Sequence, residues 1–460
     1  MTAPLKVLVV TDRYPPAAEG GAEISLHDTL QAMDPKQFDL RVLTFGDAEQ
    51  AQTDILVDRM PDMMMWPRRS LGMPRNSKDV TGMLSAALMD FWERPSSAGL
   101  LGALALRKAL RSRVPHPGSD SDMVATSALQ RKKVRDVIEA FKPDIVHADN
   151  MKSILLVQSV PASALGRVAM VRDHRLFCSH PHQSMMVADR QCTQCQFGCV
   201  EGQAGGAVVR RAMMRNKSYR MQALRAYDEV VTTSRFLASF IGNTRHDRPV
   251  TAIANPHPDL DRISAAGRAA KPVIKSTILF SGNLRKEKGA VFFANVISEL
   301  HDIDGLRVTF AGRGPEEDQL REIFQESDMA DRVSYTGFVD RDELYRIMAE
   351  TAVVVAPTLW PEPFGRLPLE AGLLGRPVVA SAAGGHLETI IHGKTGLLFP
   401  AGDRDRFVAA LHDLLRNPEK ADALGRAAKA HVLKKFGPDT VSQRLGTVWH
   451  RAQNASRRSE

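Results

Sequence analysis

Cysteine is scarce in this sequence and confined to one stretch: Cys178, Cys192, Cys195 and Cys199 are the only four among 460 residues. So sparse a set excludes a fold held together by a disulfide framework. Aromatic residues are few, at 6%, while 43% hydrophobic and 25% charged residues are ordinary for a globular enzyme. No run approaches the ~18 consecutive apolar residues that a membrane-spanning helix needs, and the apolar stretch after Lys6 is too short for a signal-peptide core. A cytoplasmic chain is the expectation, with room for peripheral contact at the inner membrane surface. Acidic residues are in deficit, 53 against 61 Lys and Arg, for a net charge of +8. That balance favours phosphate-bearing partners without saying which.

The length calls for two α/β domains of roughly 150 to 250 residues. Residues 6–11 (KVLVVT) form a short β-branched run, as in a strand buried on both faces of a parallel sheet. A loop ending Gly20-Gly21-Ala22-Glu23 follows, then helical apolar spacing, then a strand at 40–44. This is the unit that sets backbone N–H groups and a helix start beside a ligand. From 58 to 117 the pattern degrades into an insertion. Its Met, Trp and Leu residues beside Arg68, Arg69 and Arg107 suit either a helical subdomain or a lipid-facing surface. Alternation resumes at 131–141 and 145–147, with strands at 168–171 and 227–234. The polar, alanine-rich stretch 264–275 reads as a linker.

The same grammar restarts after it. Strands at 276–280, 306–310, 333–335, 353–355 and 378–380 alternate with helices near 291–300, 316–325, 341–350 and 367–374. The expected division is therefore 1–265 for the first domain, 276–438 for the second, and a helix in 439–460 that returns to the first.

The strongest chemical signal is Trp360-Pro361-Glu362-Pro363-Phe364-Gly365-Arg366-Leu367-Pro368-Leu369-Glu370. An apolar strand ends, Pro361, Pro363 and Gly365 force a loop, and Pro368 marks a helix start. This places Glu362 in the loop and Glu370 in the helix, where carboxylates accept hydroxyl hydrogen bonds. A second signal, Ser281-Gly282-Asn283-Leu284-Arg285-Lys286-Glu287-Lys288-Gly289, directly follows a strand.

These segments resemble glycosyltransferase family 4, a retaining family (glycosyl transferases group 1) with the two-domain GT-B fold. The resemblance is close over 276–436 and looser over the first 50 residues and 142–255. It implies two facing Rossmann-like domains with a cleft between them. It also implies transfer of a sugar from a nucleotide diphosphate sugar to a hydroxyl on a glycan or lipid-linked acceptor, as in polysaccharide synthesis. Glu362 would hold donor-sugar hydroxyls, Glu370 the ribose, and the backbone of Pro363, Phe364 and Gly365 would face sugar and diphosphate. Gly282 and Lys288 match the diphosphate loop, but Asn283 stands where the family usually has arginine, leaving Arg285 as the nearby cation. Arg313 and the stretch Gly337, Phe338 and Val339 would line the base side. Gly20 and Gly21 match the glycine loop that closes from the first domain. His147 ends a strand facing the cleft; Arg172 stands where many members carry a cleft histidine, Asp173 matches an aspartate common beside it, and His174 comes two places later. No cofactor is expected to be required for catalysis, and no nucleic-acid partner is expected.

The spacing of Cys178, Cys192, Cys195 and Cys199, in a loop at 178–199, suits a structural zinc with four thiolates. His180 and His182 are competing ligands, and free, redox or disulfide-bonded thiols are the alternatives. Rival functional readings are an epimerase of the same fold, a non-catalytic nucleotide-sugar-binding module, and a membrane-surface assembly protein.

Overall fold

The computed structural model describes residues 3–15, 21–45, 55–60, 128–161, 165–178, 185–187, 190–192, 206–242, 250–257, 260–297, 299–300, 302–325, 327 and 329–458. Of the insertion at 58–117, only the first three residues are among them.

The N-terminal half contains β1 (Leu5–Thr11), α1 (Gly21–Gln31), β2 (Phe38–Phe45), β3 (Leu56–Met60), α2 (Ala128–Phe141), β4 (Ile145–Asp149), α3 (Met151–Gln158) and β5 (Gly166–Val171). A small hairpin follows, β6 (Met186–Val187) with β7 (Arg190–Gln191). Then come α4 (Gly206–Ala223), β8 (Glu229–Thr232), α5 (Arg235–Gly242) and β9 (Val250–Ala252). Seven strands pair in parallel in the order β3-β2-β1-β4-β5-β8-β9. In β1, Val7 and Val9 join one apolar cluster and Leu8 and Val10 the other, so the unbroken apolar run fills the cores on both faces.

The second half contains α6 (Leu260–Ala269), β10 (Ile274–Ser281), α7 (Ala290–Ile297), β11 (Arg307–Ala311), α8 (Glu317–Gln325), β12 (Val333–Gly337), α9 (Arg341–Glu350), β13 (Thr351–Ala356) and α10 (Leu367–Leu373). It continues through β14 (Val378–Ser381), α11 (His386–Thr389), β15 (Leu397–Phe399), α12 (Arg404–Arg416), α13 (Pro418–Lys435) and α14 (Pro438–Arg457). Its six parallel strands run β12-β11-β10-β13-β14-β15. Both sheets reverse strand order beside their first strand, between β1 and β4 and between β10 and β13. In open α/β sheets ligands bind at the carboxyl ends of such strands.

The stretch read as a linker, 264–275, is instead the end of α6 and the start of β10. Ile263 and Ala266 bury a narrow stripe of α6 with Tyr345 of α9, and an Arg262–Asp342 ion pair reinforces the contact. The chain crosses between the halves at 253–257 and again after Phe436, and the His257 N–H donates to the Phe436 carbonyl at 2.8 Å.

The last helix returns to the first sheet. On α14, Val441, Leu445, Val448, Trp449 and Ala452 belong to the same buried cluster as β1. The approach is close enough that a Cβ on Gly446 would lie 2.7 Å from the Phe38 ring, and one on Gly166 2.8 Å from the Ala452 backbone. Trp449 Nε1 donates to His147 Nδ1 at 3.2 Å, and Arg451 pairs with Glu229 at 2.8 Å. Among the described residues, no helix is long and apolar enough to cross a membrane.

Candidate functional site

The two switch points present their loops to each other. On the C-terminal side, β10 is followed by Gly282, whose positive φ of 143° suits glycine and where a Cβ would meet nothing within 4 Å. The chain then makes a short turn, Lys286–Lys288. The Glu287 carbonyl accepts from the N–H groups of Leu359 (2.9 Å) and Trp360 (3.3 Å), which ties this turn to the loop after β13.

Glu362 sits where those loops meet. Its Oε2 accepts from Lys288 Nζ at 2.7 Å and from Trp360 Nε1 at 2.9 Å. The Lys288 ammonium also lies 4.7 Å from the centre of the Trp360 ring. Burial works to raise the Glu362 pKa. The Lys288 ammonium, His386 and the two hydrogen bonds outweigh it, and the carboxyl is held below its ordinary range. His386 is itself pushed down by burial, against the pull of Glu362 and the Ser381 carbonyl. Lys288, which bonds Oε2 directly, is the main charge that holds Glu362 low. His386 Nδ1 donates to the Ser381 carbonyl at 3.1 Å, because a carbonyl only accepts. Its ring packs against Gly365, where φ is 86° and a Cβ would come within 2.6 Å of it.

Glu370, on α10, faces Arg366 with Nε–Oε1 at 3.6 Å. Arg366 reaches the other domain: its Nη1 donates to the Gly21 carbonyl at 3.3 Å and to Ser25 Oγ, and its Nη2 lies 3.7 Å from Asp28. Other contacts between the halves surround the same loops. Ser234 Oγ donates to the Pro363 carbonyl at 2.6 Å, and Gln191 Nε2 to the Leu359 carbonyl at 3.1 Å. Glu388 accepts from the N–H groups of Arg235 (3.1 Å) and Phe236 (3.0 Å), capping α5 across the boundary. The buried His174 ring meets Trp360 edge-on at 5.3 Å.

Several other sequence-predicted residues make their contacts away from Glu362. Arg172 is buried: its Nε and Nη2 hold Asp149 at 2.8–2.9 Å and its Nη1 holds Asn255 Oδ1 at 2.8 Å. Burial would raise Asp149, but Arg172 and His147 keep it below the usual range. His147, expected at the cleft wall, is buried with its Nδ1 engaged by Trp449. Asp173 caps the turn His174–Leu176 through the Arg175 N–H at 2.8 Å and holds the Arg175 side chain. Arg285 is half exposed and faces Glu287 at 3.9 Å. Arg313 lies over Gly337, 3.2 Å from where a Cβ would be. Phe338 is 70% exposed beside it, with Val339 partly buried. Pro363, Phe364 and Gly365 are buried beneath the loop. Gly21 opens α1, and Gly20 lies outside the described residues.

Of the four cysteines expected to hold a zinc, two lie among the described residues. Cys178 is buried in the N-terminal core and Cys192 packs on the same core, whereas Cys195 and Cys199 lie outside the described residues. Among the described residues, no group of three or more His, Cys, Asp or Glu is arranged to hold a metal.

Sequence reading gave no role to Trp360, His386, Arg366, Ser234 or Glu388. Trp360, Arg366 and His386 were visible only as text around the motif.

Comparison with known proteins agrees with this geometry. Residues 265–431 match the family model described as glycosyl transferases group 1. Glycogen synthase of Mycobacterium tuberculosis is 29% identical over 184 residues, 40% of this chain and 44% of that protein. The chain thus spans less than half the length of that relative. The 2-deoxystreptamine N-acetyl-D-glucosaminyltransferase of Streptomyces fradiae is 26% identical over 358 residues, 74% of this chain and 81% of that one. In fold, sucrose-phosphate synthase from Thermosynechococcus elongatus superposes with a TM-score of 0.67 at 17% identity, covering 98% of this chain and 100% of that one. The C-terminal half of this chain therefore carries a glycosyl transferases group 1 domain, set in a GT-B fold of two Rossmann-like domains.

Proposed function

We propose that the chain is a retaining glycosyltransferase that moves a sugar from a nucleotide diphosphate sugar to a hydroxyl of a glycan or lipid-linked acceptor. The observation that carries this reading is Glu362, kept ionised by Lys288 at the junction of the two switch points. An ionised carboxylate there is acceptor-only, suited to donor-sugar hydroxyls, and Glu370 is the carboxylate we assign to the ribose hydroxyls. Lys288 has three N–H donors, so it can keep Glu362 and still neutralise a phosphate oxygen as the bond from the anomeric carbon to the diphosphate breaks. The acceptor oxygen bonds to the same face of that carbon, and its proton leaves with the departing phosphate. Asn283 brings no charge, which leaves Lys288 and backbone N–H groups to stabilise the leaving group. His174 is brought against Trp360 from the first domain.

The test is release of nucleoside diphosphate from UDP-, GDP- and ADP-sugars by the purified protein, followed with and without candidate glycan acceptors, with anomeric analysis of the product. Acceptor-dependent release with one base, lost in Glu362→Gln, supports the reading. An isomerised sugar nucleotide with no transfer would point to an epimerase instead.

A further inference from the structure

Arg366 stands between the two glutamates of the motif, yet its side chain runs to the other domain. It is nine-tenths buried. Its aliphatic part lies against Gly21, where a Cβ would be 3.0 Å from Cδ, and its Nη1 is spent on the Gly21 carbonyl and Ser25 Oγ. The other edge of the guanidinium is different. Nε and Nη2 are both buried, and among the described residues neither has a hydrogen-bond partner. Each faces a carboxylate oxygen beyond hydrogen-bond reach, Glu370 Oε1 at 3.6 Å from Nε and Asp28 Oδ2 at 3.7 Å from Nη2.

Two parallel donors on one edge of a rigid fork ask for two acceptor oxygens side by side. Phosphate or carboxylate would satisfy that geometry, but with Glu370 and Asp28 on either side an anion meets net negative charge. A pair of neighbouring hydroxyls fits both demands: each oxygen accepts from the arginine, and each proton goes to a carboxylate. We propose that Asp28, Arg366 and Glu370 form a vicinal-diol clamp drawn from both domains, and that its occupant is the ribose of the bound nucleotide. This rests on the nucleotide-sugar reading, in which Glu370 alone was assigned to the ribose. Arg366 and Asp28 extend that contact into a specificity device that is complete only when α1 packs against α10.

The experiment is calorimetric titration with UDP, GDP and ADP and their 2′-deoxy and 3′-deoxy counterparts, for wild type, Arg366→Met and Asp28→Ala. With wild type, removing either hydroxyl from the nucleotide that binds weakens it by about tenfold or more. Arg366→Met lowers ribonucleotide affinity to the deoxy level and leaves the deoxy affinities unchanged, so the preference collapses. Asp28→Ala, on a different domain, reduces the preference and serves if Arg366→Met does not fold. Failure of wild type to bind any of the diphosphates overturns the nucleotide-sugar reading, and the clamp with it. Binding without a ribose preference, or a full preference retained in both variants, overturns the clamp alone. An effect of Arg366→Met seen only with sugar nucleotides and absent with the bare diphosphates overturns the ribose assignment.

Discussion

Lys288 Nζ lies 2.7 Å from Glu362 Oε2 while resting over the Trp360 ring, so one ammonium serves a carboxylate and an indole that also bond each other. Three side chains from two loops are thereby fixed before any ligand arrives. Preorganisation of this kind lowers the cost of binding and keeps the carboxylate charged in a half-buried place.

Lys288→Met should expose what burial does to Glu362 alone. In the wild type the carboxyl is held below its ordinary value of 4.5, so its stabilising contribution is present above that pH and is lost as pH falls through the lowered folded value. In the variant burial is unopposed by that charge, and the carboxyl should move up. The stability difference between the two proteins should be ~1.5–3 kcal/mol at pH 7 and close as the pH drops below about 4. Urea unfolding across pH 3.5–7.5 measures it. A difference that does not change with pH would contradict the coupling.

Arg172 should behave as a structural residue. Arg172→Met leaves Asp149 buried without its cation, a loss of ~3–5 kcal/mol, and Arg172→Met with Asp149→Asn should recover part of it. Because Asp149 is also held low, the wild-type contribution is lost in acid, so the penalty of Arg172→Met should shrink there. Denaturant midpoints for the single and double variants decide this. A fully stable Arg172→Met protein would return the arginine to the list of cleft residues.

Glu388 caps a helix that belongs to the other half, so its loss should be felt at the interface. Glu388→Ala is expected to cost ~1 kcal/mol and to enlarge the radius of gyration in solution scattering, because α5 loses both N–H partners. Loss of stability with no change in scattering would confine Glu388 to a local role.

Trp449→Phe keeps an aromatic ring, smaller than the indole, and removes the donor that satisfies the buried His147 Nδ1. The expected cost is ~1–3 kcal/mol, whereas Trp449→Ala should lose ~3–5 kcal/mol by leaving a cavity. Thermal unfolding of the two variants should separate the hydrogen bond from the packing.

Much of this architecture was legible because parallel strands covered on both faces leave continuous apolar runs, as in β1 and β13. α6 was not, since only Ile263 and Ala266 face inward and the rest of the helix reads as polar linker. At the site, the family resemblance, not spacing alone, singled out Glu362, Glu370 and Lys288. What spacing could not show was who neutralises whom. Arg172, expected in the cleft, is held by Asp149 on the preceding strand, a pairing that spacing does not reveal. Arg366 drew no role from the sequence because its partners, Ser25 and Asp28, come from the opposite end of the chain.

The most direct test of the donor site is a thermal-shift panel of the purified protein with UDP-, GDP- and ADP-sugars, repeated with Glu370→Ala. Ligand that binds only the folded state raises the melting temperature. A rise with the sugars of one base, absent in Glu370→Ala, is the predicted result. No rise with any of them, or a rise unchanged in Glu370→Ala, would contradict a donor site built on Glu362, Lys288 and Glu370.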